Sequence, residues 1–208
     1  VSVGRIIAGP TCVAEGAAWL AAREPRFAAA LAVTGPLPLR LTGDGFAPLL
    51  SVIVSQQVSR AAADAIWRRL AAAGMTTPAA VAAAGEERLR ALGLSRQKAR
   101  HAGALAAAGI DYDALRVLPD AEVVRVLTAV RGIGPWTAEI YAMFSLGRAD
   151  AFAPADLALQ EAARRLFELQ SRPSERELSE MARAWAPWRA VAARLLWAWY
   201  ATPRPPGA

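Results

Sequence analysis

Two stretches of this sequence hold residues whose types and spacing could do chemistry. The first is LTAVRGIGPWTAEIYAMF, residues 127–144. Gly132 and Gly134 flank Ile133 between two helical patterns, and Pro135 fits the first turn of the second helix. Glycine tolerates positive φ and lets another backbone approach closely. The amides at the start of the second helix then face outward beside the positive end of its dipole. Such a turn binds a phosphate without reading a base. The plainer reading is a simple connection between two helices. The second stretch is FAPADLALQ, in which Asp156 lies twenty residues after Trp136. Aspartate there is a good helix N-cap. A carboxylate held at a helix start could also stabilise a developing sugar cation or orient a water.

What the chain lacks narrows the chemistry. One cysteine, Cys12, excludes a disulfide framework and a four-thiolate iron–sulfur cluster, and reads as a packing residue. One histidine, His101, excludes a multi-histidine metal centre and argues against Ser-His-Asp catalysis; no role is assigned to it. Lys98 is the only lysine, so every other basic residue is arginine. The net charge of +6 and pI near 10.6 point to a polyanionic partner, nucleic acid first. A GC-rich genome, which inflates Ala and Arg together, accounts for part of that balance. The N-terminal residues lack a signal-peptide layout, and apolar runs are short or broken by Arg. A soluble, cytoplasmic protein with no membrane partner is the expectation.

The elements that must position these residues are helices. Hydrophobic residues make up 55% of 208 and charged residues 20%, enough to bury a core in one ordinary domain or two small ones. About a quarter of the residues are Ala, the best helix former. Punctuation by Gly, Pro and capping residues predicts helices over 12–22, 24–33, a long one over 46–73, then 78–91, 96–108, 121–130, 135–146, 156–169, 174–185 and 187–201. Only 36–42 reads as a candidate strand. Residues 202–208 are expected to be disordered.

Taken together, GIGPWTAEI and FAPADLALQ resemble the helix-hairpin-helix DNA glycosylases. Three further segments strengthen the likeness. IVSQQVSRAAA (53–63) is similar to the Gln-containing helix start of the alkylation-repair branch, LGLSRQKARHAGALA (92–106) to its second DNA-facing helix, and WAPWRAVAARLLWAWY (185–200) to its closing helix. The resemblance covers roughly residues 45–200 and is nearest to the 3-methyladenine DNA glycosylase II family. It implies a base-excision repair enzyme that flips a damaged nucleotide out of double-stranded DNA and hydrolyses its N-glycosidic bond.

Residue roles follow from the resemblance. Asp156 is the implied catalytic acid. Trp136, Ile140, Leu157 and Trp197 take base-pocket positions. Gln57 falls where a side chain wedges into the gap left by the flipped base. Ser95, Arg96, Lys98, Arg131, Gly132, Gly134 and Thr137 are implied DNA-binding residues, with Arg100 beside them. The carbonyls of Thr128, Val130 and Gly132 are the implied ligands of a structural Na+ or K+; no other cofactor is required. Two pocket positions that are tyrosine in the best-known member are Ile140 and Leu157 here, and that member's N-terminal β domain is expected to be absent. Related enzymes that also cleave the backbone use a hairpin lysine as nucleophile. That place is Trp136 here, so a monofunctional glycosylase without lyase activity is expected. Trp185, Trp188 and Trp199 read as core.

The expected fold is all-α, with two helical subdomains flanking a DNA-binding cleft: residues 45–148, ending in the helix-hairpin-helix, and 1–44 plus 149–208, carrying Asp156. A monomer is expected. The rival readings are a glycosylase of the same superfamily for uracil, oxidised purine or mismatched thymine, and a non-catalytic module that binds damaged DNA.

Overall fold

Proline and short polar side chains start most of the helices. In the computed structural model, which describes residues 3–203, twelve α-helices are present among the described residues. They are α1 (Pro10–Ala21), α2 (Pro25–Thr34), α3 (Phe46–Ser55), α4 (Arg60–Ala72), α5 (Pro78–Ala91), α6 (Arg96–Ala107), α7 (Tyr112–Val117), α8 (Asp120–Thr128), α9 (Pro135–Phe144), α10 (Leu157–Leu166), α11 (Glu175–Ala182) and α12 (Arg189–Tyr200). Proline occupies the first turn of α1, α2, α5 and α9, where a missing N–H leaves nothing unbonded. Side chains of Ser59, Thr77, Ser95, Asp111, Asp156 and Ser174 cap α4, α5, α6, α7, α10 and α11.

The all-helical expectation holds. Among the described residues the β pairing consists of one isolated bridge, Ile6 with Arg148. The candidate strand at 36–42 is corrected: it has no partner strand and runs as irregular chain. The Arg194 guanidinium holds it instead, donating to the Leu39 carbonyl through Nε at 3.1 Å and Nη2 at 3.0 Å. The single helix expected over 46–73 is also corrected. It is α3 and α4, broken at Gln56–Ser59, where Gln57 adopts φ 54 and Ser59 restarts the helix. The short α7 was not foreseen. Of the expected disorder at 202–208, residues 204–208 lie outside the described residues, and the Thr202 hydroxyl donates to the Trp199 carbonyl at 2.6 Å. No helix among the described residues is long and apolar enough to cross a membrane.

The helices form two compact units. One is built on Thr42–Leu146. Its core gathers Leu49, Leu50 and Ile53 of α3, Ala102 and Leu105 of α6, Leu127 of α8 and Ala138, Tyr141 and Met143 of α9. There α3 packs on α4, α6 and α9, and α8 on α9. Two side-chain links pin α3 and α9 as antiparallel neighbours. The Tyr141 hydroxyl near the end of α9 accepts from Gly45 N at the start of α3 (2.8 Å). Gln56, at the end of α3, reaches the start of α9.

The other unit joins Gly4–Leu41 to the chain from Gly147 onward. Here α12 is the central helix, packed against α1, α2 and α10. Gly16 lets α1 lie against it, since a Cβ there would meet Trp188 and Val191 at 2.7 Å. Phe27, Phe152 and Phe167 surround Trp185, an aromatic cluster that adds edge and stacking contacts to area burial. Trp185 and Trp188 are core residues, as read from the sequence. Arg194 is fully buried, and burial pushes its guanidinium down to about 10; hydrogen bonds donated to the Leu39 and Ala190 carbonyls help hold the charge inside.

Candidate functional site

The glycine turn is a tight link between α8 and α9. Val130 N bonds back to Leu127 O and Ile133 N to Val130 O, both at 3.0 Å. Gly132 sits at φ 94, a left-handed conformation. The His101 side chain of α6 lies against its Cα, so a Cβ there would collide with the imidazole. Ile133 is buried beneath the turn, whereas Arg131, Gly134 and Pro135 are exposed. The amides that open α9 have no carbonyl inside the helix to bind, and Gly134 supplies no capping side chain. The turn therefore presents a helix start without a side-chain cap beside an exposed arginine, a geometry that suits an anion.

One residue fixing this turn escaped the sequence reading. Gln56 Nε2 donates to Gly132 O at 3.3 Å and to Thr137 Oγ1 at 2.9 Å. Its only sequence signal is membership of the Gln56-Gln57 pair. Thr137 is 2% exposed and its hydroxyl faces this amide. The Thr137 side chain therefore faces inward, and its backbone lies in the first turn of α9.

Gln57 projects next to that link. It is exposed, with exposed Val58 beside it, at the break between α3 and α4. Lys98 Nζ donates to the Val54 carbonyl in the last turn of α3 at 2.7 Å, where a cation meets the negative helix end. Burial pushes this ammonium below its ordinary pKa. Ser95 caps α6 by accepting from Lys98 N at 3.2 Å. Arg96 and Arg100 both face Glu86, at 3.8 and 3.3 Å.

Trp136 and Ile140 stand one turn apart on the same face of α9, both half-buried. Ile140 borders a cavity of about 430 Å³. Of the three carbonyls assigned to a cation, Val130 O already accepts from Ile133 N and Gly132 O from Gln56. A carbonyl has two lone pairs, so an oxygen-only set suited to a hard cation fits these residues.

In the second unit, the loop before α10 ends at Asp156. Ala149 is tied on both sides, its N–H donating to Arg5 O (3.0 Å) and its carbonyl accepting from Ala190 N (2.9 Å). Asp150 takes a two-point ion pair from Arg189, both contacts 2.8 Å. Gln160 Nε2 donates back to Pro154 O at 2.8 Å. So anchored, the loop delivers Asp156 half-buried to the start of α10. Its Oδ1 accepts from Ala158 N (2.9 Å), Leu159 N (3.0 Å) and the Trp197 indole of α12 (3.3 Å). The capping reading is thus realised, and three donors on one oxygen fix the plane of the carboxylate. Leu157 beside it is 62% exposed. The structure brings Asp156, Leu157 and Trp197 together across forty-one residues of sequence.

Residues 50–187 match the family described as HhH-GPD superfamily base excision DNA repair protein. The Bacillus subtilis protein YfjP is 32% identical over 124 residues, 58% of this chain but 43% of its own length. The chain thus spans less than half of that relative. A Schizosaccharomyces pombe protein named DNA-3-methyladenine glycosylase 1 is 30% identical over 158 residues, 72% of this chain and 69% of that one. The structure of the S. pombe glycosylase Mag1 in complex with abasic DNA superposes with a TM-score of 0.81 at 28% identity, covering 88% of this chain and 95% of that one. Over residues 50–187, from the middle of α3 to just before α12, the chain belongs to the HhH-GPD superfamily of base excision DNA repair proteins.

Proposed function

We propose that this chain is a monofunctional DNA glycosylase that releases alkylated purines, of the 3-methyladenine and 7-methylguanine type, from double-stranded DNA. The observation that carries this reading is Asp156, a carboxylate locked at a helix start by two amides and an indole. Alkylation at N3 or N7 makes the purine cationic and a good leaving group. When the C1′–N bond breaks, its electron pair leaves with the base and positive charge gathers on the sugar. Asp156 stabilises that oxocarbenium-like state and orients the water that adds to C1′, one proton of which passes to solvent. A paired general acid, as in sugar hydrolases, is dispensable.

The other residues supply binding. Backbone amides of Gly132, Gly134 and the first turn of α9 after Pro135, with Arg131, grip a phosphate. Gln57 fills the gap left by the everted nucleotide, and Trp136 and Trp197 offer indole faces to the base. The carbonyls of Thr128, Val130 and Gly132 hold a Na+ or K+ that stiffens the turn. The one lysine, Lys98, lies on α6 and bonds the end of α3, so the hairpin itself supplies no amine for a Schiff-base step. Release of 3-methyladenine, 7-methylguanine, hypoxanthine and uracil from defined duplexes tests the reading. Alkylpurine release with no borohydride-trapped protein–DNA adduct is the expected result. Release of uracil alone, or a trapped adduct, would contradict it.

A further inference from the structure

α4 contributes no residue to the site described above, yet it carries an indole at the junction of two cavities. Trp67, half-buried on α4, walls the 430 Å³ cavity together with Ser51 and Val52 of α3 and Ile140 and Phe144 of α9. All of these belong to the unit built on Thr42–Leu146. An adjoining depression of about 350 Å³ shares Ser51 and Trp67, and reaches Val58 at the exposed tip next to Gln57. Its charged residues are Arg60 and Asp64. Asp64 precedes Trp67 by three residues and so lies on the same face of α4.

The chemistry of this lining suits a planar, largely apolar ligand. Its volume lies in the range of small-molecule pockets, which combine apolar walls with a few polar groups. Aromatic and aliphatic side chains form the walls, and the Ser51 hydroxyl is available to a ring nitrogen or exocyclic group. Neither lysine nor arginine lines the larger cavity, so nothing there repels a cation. Isoleucine at position 140 offers no π face, and Trp67 brings one into the same cavity from another helix.

We infer that Trp67 is a specificity-determining residue, its indole face contacting the everted base and selecting a cationic alkylated purine over a neutral one. The inference rests on the glycosylase reading and adds a residue to it. Two readouts test it in Trp67→Ala and Trp67→Phe. The first is single-turnover excision of 7-methylguanine relative to hypoxanthine from matched duplexes. The second is calorimetric binding of 7-methylguanosine against guanosine at mildly acidic pH, where the methylated nucleoside is a cation. The binding arm uses Asp156→Asn protein, in which hydrolysis is not expected.

The preference for the cationic base falls about tenfold in Trp67→Ala, and less in Trp67→Phe, while affinity for abasic DNA is unchanged. An unaltered preference in Trp67→Ala overturns the inference. If circular dichroism shows that the alanine variant fails to fold, the phenylalanine variant and the parent protein decide: equal binding of the two nucleosides by the parent overturns it. Wild-type protein that excises no alkylpurine, yet binds 7-methylguanosine through Trp67, contradicts the glycosylase reading and leaves the base site standing.

Discussion

At Asp156 the helix cap and the proposed reacting carboxylate are one side chain. Oδ1 is committed to Ala158, Leu159 and Trp197, so the group cannot rotate without giving up hydrogen bonds worth roughly 1 kcal/mol each. The glycine turn shows a different economy of residues. Gly132→Ala puts a Cβ into the His101 ring at φ 94; a loss of roughly 2–4 kcal/mol is predicted, read as a lower urea midpoint. Gly134→Ala, at φ −88 with open space around it, is predicted to cost about 1 kcal/mol or less. Equal costs for the two variants would refute this account of the turn. The two glycines look alike in sequence, because nothing local reveals that a histidine thirty-one positions earlier covers one of them. Gln56 was hidden for the same reason: its partners lie beyond position 130.

At the scale of elements, local signals located most helices, since Pro and Ser/Thr/Asp caps act within one turn. They missed the break between α3 and α4, where Gln56-Gln57-Val58-Ser59 holds neither glycine nor proline and Gln57 takes a left-handed φ. They also missed α7, six residues long and too short to show a period. The packing of α6 on the α8–α9 turn passes through His101, whose Nδ1 is buried with no hydrogen-bond partner among the described residues. Burial, and then the nearby Arg131 charge, lower its pKa from 6.5. The unfolded chain therefore binds more protons than the folded one at acidic pH, and stability falls as pH drops below 6.5. Urea midpoints measured across that range are predicted to slope less in His101→Gln than in the parent. Identical slopes would show that this histidine does not carry the effect.

For the molecule as a whole, composition pointed to helices and the fold is all-α, but basic charge was a weak guide to the site. Arg116, Arg164 and Arg189 are spent on ion pairs with Asp44, Glu161 and Asp150, and Arg194 is buried. The proposed activity depends less on total charge than on one carboxylate and one amide-lined turn. Asparagine caps a helix about as well as aspartate, so Asp156→Asn removes the charge while keeping α10 in place. The most direct measurement is single-turnover release of methylated purines by wild-type and Asp156→Asn protein, with duplex binding recorded in parallel. The account predicts that the variant binds duplex normally and releases no base at a measurable rate. Base release by Asp156→Asn at the wild-type rate would contradict it.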